Sequence, residues 1–79
     1  MNNQITISLL RLHQVQVLTG LSRSSIYALI KQGAFPRPVL IGTRAVAWNS
    51  LAIQQWITDR LNQAYEARTL GSEQNGERP

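Results

Sequence analysis

Apolar positions recur at helical spacing twice in the first part of the chain, and this pattern predicts two short helices. Leu12, Val15 and Leu18 fall on adjacent turns with Gln14 and Gln16 turned away, and Ile26, Leu29 and Ile30 follow as an i, i+3, i+4 stripe. Between them, Thr19-Gly20-Leu21-Ser22 reads as a tight turn. Gly20 supplies the positive φ that ends a helix, Leu21 plugs the turn, and Ser22 caps a second helix over residues 22–32. Lys31 and Gln32 suit the negative end of that helix, and Gly33 stops it. Its other face carries Ser24, Ala28 and Lys31, flanked by Tyr27.

Beyond Gly33 the period changes. Phe35-Pro36-Arg37-Pro38 forbids helix, because each proline fixes φ and biases its predecessor toward extended geometry. Val39-Leu40-Ile41 and Ala45-Val46-Ala47-Trp48 then read as two strands around Gly42-Thr43, which suits a two-residue type II′ hairpin. That register sets Ile41 against Arg44, Val39 against Val46 and Arg37 against Trp48. It turns Val39, Ile41, Val46 and Trp48 inward and Leu40, Ala45 and Ala47 outward. Asn49 or Ser50 caps a third helix, whose Leu51, Ile53, Trp56, Ile57, Leu61 and Ala64 form a broad apolar stripe. Both tryptophans lie on apolar faces and are expected in the core.

The termini are less structured in pattern. Residues 1–8 form an N-terminal arm in which Ile5 and Ile7 alternate with polar residues, consistent with either a frayed end or a short strand; Leu9-Leu10 anchors it. Residues 9–67 make one domain, and residues 68–79, polar and almost without apolar content, are expected to be a disordered tail. The fold class is α+β, mainly α: three helices and a two-stranded hairpin in the order α-α-β-β-α.

Charge narrows the class of partner. The net charge is +4, but its distribution is more telling: Asp59, Glu66, Glu73 and Glu77 all come late, whereas Arg11, Arg23, Lys31, Arg37 and Arg44 precede them with no carboxylate between. Such a surface suits a polyanion. Arg23 stands first after the cap, where a helix end is already positive; a nearby phosphate would offset that cost. Arg44 sits at the hairpin tip, within reach of a groove or a backbone phosphate.

Enzyme chemistry has no parts to work with. There is no cysteine, His13 is the single histidine and has no acidic neighbour in sequence, and Ser22, Ser24 and Ser25 have no nearby base. No phosphate-binding glycine loop or paired carboxylates occur. No cofactor, metal or small-molecule ligand is expected. No apolar run is long enough for a bilayer, and Met1-Asn2-Asn3-Gln4 lacks the features of a signal peptide, which makes a cytosolic protein the expectation.

Three segments in order carry a family resemblance: Thr19-Gly-Leu-Ser-Arg-Ser-Ser-Ile-Tyr27, Phe35-Pro-Arg-Pro-Val39, and Gly42-Thr-Arg-Ala-Val-Ala-Trp48. From about Leu9 to Leu61 the chain resembles the AlpA-type prophage regulators, small relatives of excisionases and MerR-like DNA-binding domains. The resemblance implies a winged helix-turn-helix that binds double-stranded DNA, its second helix in the major groove and the hairpin 38–48 as wing. By position it assigns Ser24, Ser25, Tyr27, Ala28 and Lys31 to the groove, Arg23 to phosphate and Arg44 to the wing. Arg37 adds charge beside the second helix. Gln16 departs from the apolar or small residue usual there. Leu40 and Ala47 replace basic residues common on the outer wing, which favours a protein contact on that face.

Three functions share these residues. The leading expectation is a sequence-specific transcriptional regulator of an integrated element. An excisionase that bends attachment-site DNA, with an integrase or a second copy as partner, uses the same assignments. A protein-interaction module that antagonises a host regulator would rely on the apolar wing instead.

Overall fold

The computed structural model describes residues 6–75, with side chains through residue 67. Six elements follow in order: β1 (Leu9–Leu10), α1 (Leu12–Thr19), α2 (Arg23–Lys31), β2 (Val39–Leu40), β3 (Val46–Asn49) and α3 (Ser50–Asn75). The three helices and the hairpin stand as the apolar pattern predicts, with one addition. Leu9-Leu10 forms a strand, so the sheet has three strands, in the antiparallel order β1-β3-β2. The arm is tied down at its end: Ser8 N–H donates to Ser50 Oγ at 2.9 Å and Ser50 N–H returns a bond to the Ser8 carbonyl at 2.9 Å. Residues 1–5 of the expected arm lie outside the described residues, as do 76–79 of the expected tail. α3 runs to Asn75, past the boundary at residue 67 drawn from composition.

Local chemistry sets the helix ends. Gly20 has φ 76° and closes α1, its N–H donating to the Gln16 carbonyl at 2.8 Å. The Thr19 hydroxyl bridges the turn, donating to the Val15 carbonyl and accepting from Leu21 N–H. Ser22 caps α2 through Ser25 N–H at 3.1 Å. At the other end Gly33, with φ 77°, donates to the Ile30 carbonyl and Ala34 donates to that of Leu29. That pair is a Schellman motif, which needs a residue free to adopt left-handed geometry. Of the two caps expected for α3, Asn49 fills the role, its Oδ1 accepting from Leu51 N–H at 2.8 Å.

The core joins every layer: Val15 of α1, Ile26 of α2, Phe35 of the following loop, Trp48 of β3 and Ile53 of α3. Leu10, Leu29, Ile30, Val46, Trp56 and Ile57 pack around it, half-buried. Complete burial of a side chain such as Ile26 or Ile53 stabilises by about 1.5–3 kcal/mol, a large share in a domain this small. α2 is thus held from below by its Ile26-Leu29-Ile30 stripe.

The hairpin departs from the expected register. Val39 pairs with Ala47 and Leu40 with Val46, while Ile41 N–H donates to the Ala45 carbonyl at 2.8 Å. The loop is therefore Gly42-Thr43-Arg44, three residues instead of two. Positive φ among the described residues occurs at Gly20 and Gly33, so Gly42 does not make the type II′ turn. A one-residue slip moves side chains to the other face. Ala47, expected outside, is wholly buried on the central strand. Val39 and Ile41, expected in the core, are 48% and 42% exposed. Leu40 is exposed as expected, at 68%, on the edge strand.

Candidate nucleic-acid interface

All eight residues assigned from sequence reach solvent: Arg23, Ser24, Ser25, Tyr27, Ala28 and Lys31 on α2, Arg37 in the loop after it, and Arg44 at the hairpin tip. The burial of Ile26, with Leu29 and Ile30 half-buried, fixes which way α2 faces, so the polar positions between them are left on the outside. The side chains of Lys31, Arg37 and Arg44 have no hydrogen-bond or ion-pair partner among the described residues. Exposed cations with unfilled donors are able to accept anions.

Three of the eight are engaged locally. Ser25 is part of the cap: its N–H donates to Ser22 Oγ and its hydroxyl accepts from the Ser22 hydroxyl at 3.1 Å. Tyr27, 37% exposed, stands edge-on to the Trp48 ring, with centroids 6.3 Å apart and planes at 66°. The Arg23 guanidinium carbon lies 5.5 Å from the centroid of the Tyr27 ring. The arginine at the positive end of α2 is therefore held over an aromatic face one turn along, a placement that offsets part of its unfavourable position.

The loop that carries Arg37 is held by a device that hydropathy does not reveal. Trp48 Nε1–H donates to the Pro36 carbonyl at 3.0 Å, and Trp56 Nε1–H donates to the Ala34 carbonyl at 2.8 Å. Phe35 lies between them, buried, its ring centroid 4.9 Å from that of Trp56. The two indoles clamp Ala34-Phe35-Pro36 against the core. In the expected register Arg37 would have stood across from Trp48; the structure instead brings the backbone of Pro36 to that indole. The signal was present in the sequence, since a buried tryptophan requires an acceptor and a proline-rich segment leaves carbonyls unpaired.

Among the described residues there is no group of three or more His, Cys, Asp or Glu that could hold a metal ion, and no helix long and apolar enough to cross a membrane. An apolar groove of about 420 Å³ lies between the end of α1 and α3, lined by Leu18, Leu21, Trp56, Ile57 and Leu61 with Arg60 at its side.

Comparison with known proteins shows the family. Residues 8–61 match the family described as prophage CP4-57 regulatory protein (AlpA). An uncharacterised protein of Enterobacteria phage P4, ORF88, is 44% identical over 52 residues, 66% of this chain and 59% of that protein. The chain thus spans less than two thirds of that relative's length. The DNA-binding transcriptional activator AlpA of Escherichia coli K12 is 30% identical over 66 residues, 76% of this chain and 94% of that protein. The matched segment takes in β1, the helix pair, the clamped loop, the hairpin and the packed half of α3. The chain belongs to the AlpA family of prophage regulatory proteins.

Proposed function

We propose that this chain is a sequence-specific, non-enzymatic regulator of transcription that binds double-stranded DNA of a prophage or integrated element, in the bacterial cytosol or nucleoid. α2 enters the major groove and the β2–β3 hairpin acts as a wing. One observation carries the reading: α2 is packed on the core through Ile26, Leu29 and Ile30 while Arg23, Ser24, Ala28 and Lys31 stand exposed on it, and Arg37 and Arg44 are exposed in the loop and hairpin that follow. Ser24, Ala28 and Lys31 meet base edges; the arginines hold phosphate and set the orientation. The relative from Escherichia coli, a DNA-binding activator by its name, supports the same reading.

Selecting bound duplexes from a random pool, then titrating salt on the best sequence, tests it. The expected result is an enriched motif bound about 1,000-fold or more above unrelated duplex. Its affinity should fall with log salt at a slope of about −0.9 for each phosphate contact. A pool that yields no motif, or binding insensitive to salt, refutes the proposal.

A second reading has an observation of its own. Val39, Leu40 and Ile41 are consecutive, apolar and 48%, 68% and 42% exposed on an edge strand, a patch more typical of protein contact than of a DNA-facing wing. If Leu40→Asp abolishes regulation while duplex binding persists, the wing's outer strand meets another protein, and DNA contact rests on α2 and the arginines.

A further inference from the structure

Tyr27 sits at the fifth residue of α2 after the cap, a position from which a side chain can read a base, and the resemblance to the family assigns it that role. The structure places its ring elsewhere. One face of the phenol carries the Arg23 guanidinium, 5.5 Å from the ring centroid, and the ring meets Trp48 edge-on at 6.3 Å. Trp48 is wholly buried and bonded to the Pro36 carbonyl. The ring therefore lies in a fixed stack between the core and a cation, with Arg23 outermost.

We propose that Tyr27 is a positioning residue that holds Arg23 ready for a backbone phosphate, and that its phenol does not read bases. This rests on the DNA-binding reading above. An arginine at the first position of a helix is pushed outward by the helix's positive end, and a free side chain would sample many rotamers. A π-face within 6 Å confines the guanidinium while leaving its N–H groups free to donate. The guanidinium is thereby held on the surface of α2 one turn along from its start, where a backbone phosphate can meet it. The i, i+4 spacing of Arg23 and Tyr27 brings the two together on one helix face. Trp48 supplies the rigid backing, which a ring standing in water would lack.

The test is a double-mutant cycle on duplex affinity with Arg23→Gln, Tyr27→Phe and Tyr27→Leu, on the sequence selected by the wild-type protein. Tyr27→Phe keeps the ring and should bind within about 2-fold of wild type, with the same base preference. Tyr27→Leu keeps the bulk and helix propensity but removes the π-face; its affinity should fall about 3- to 5-fold, the loss expected for an exposed cation–π contact. In the Arg23→Gln background the same change should cost less than about 1.5-fold, because there is no guanidinium left to hold. Thermal unfolding of each variant corrects affinity for the folded fraction.

If Tyr27→Phe changes the selected motif, the hydroxyl reads a base and the proposal fails. It fails as well if the Leu substitution costs the same with and without Arg23. A wild-type protein that shows no salt-dependent duplex binding overturns the DNA-binding reading and this role together. Intact wild-type binding with additive variants overturns the role of Tyr27 alone.

Discussion

Trp48 and Trp56 perform the same local task in different surroundings, and that contrast can be measured. Each indole N–H donates to a carbonyl of the loop after α2: Trp48 to Pro36 at 3.0 Å, Trp56 to Ala34 at 2.8 Å. Phenylalanine removes the donor from either and keeps a ring. Trp48 is wholly buried and Pro36 half-buried, so water reaches the freed Pro36 carbonyl poorly. Orphaning it costs about 1–3 kcal/mol, and the lost ring atoms about 1 more, so Trp48→Phe is expected to destabilise by about 2–4 kcal/mol. Trp56 is half-buried and Ala34 exposed, so water replaces that bond and Trp56→Phe costs about 0.5–1.5 kcal/mol. Urea unfolding followed by far-UV circular dichroism reads both. With m near 1 kcal/mol per molar for a domain of this size, the two midpoints should differ by about 2 M at equal m. Midpoints within about 0.3 M of each other, or the larger loss at Trp56, would refute the argument that burial of the acceptor sets the penalty.

Three further outcomes follow from the geometry. Ser22→Ala removes the hydroxyl that caps Ser25 N–H and should cost about 1 kcal/mol of stability in the same urea assay, with Ser22→Asp recovering most of it. Gly33→Ala meets no atom within 4 Å, so its cost comes from the backbone alone; with φ 77° it should lose about 1–2 kcal/mol, and Gly33→Asn should lose less. Arg44→Gln should reduce the slope of log affinity against log salt by about 0.9 without changing the selected motif, whereas Lys31→Gln should alter the motif as well. Equal effects of these last two on base preference would remove the distinction between a reading helix and a gripping wing.

Much of this arrangement could be read from residue spacing. The stripe Ile26-Leu29-Ile30, the cap at Ser22 and the stop at Gly33 are local, and each depends on neighbours within one or two turns. They place Arg23, Ser24, Ala28 and Lys31 outward because the buried face of a helix dictates its exposed one. The uneven charge, with five cations before the first carboxylate, is likewise a property of the chain itself. What spacing could not supply was the hairpin register. Short strands of Val, Leu, Ile and Ala are apolar on both faces, so two registers one residue apart satisfy the pattern equally well. The tertiary structure decides between them: β3 is the central strand, it packs against α1 and α3, and its Ala47 as well as its Trp48 is wholly buried.

The sequence by itself therefore determined the helices, their caps, the outward face of α2 and the one-sided charge, all of which arise from interactions between residues close in the chain. Only the tertiary structure decided the strand order, the three-residue loop at Arg44, the indole bonds that clamp the segment before Arg37, and the stack of Arg23 on Tyr27 against Trp48. Trp48 meets Tyr27 across 21 positions of sequence and Trp56 meets Ala34 across 22. Contacts of that separation depend on how the packed elements lie in space, which no local periodicity encodes.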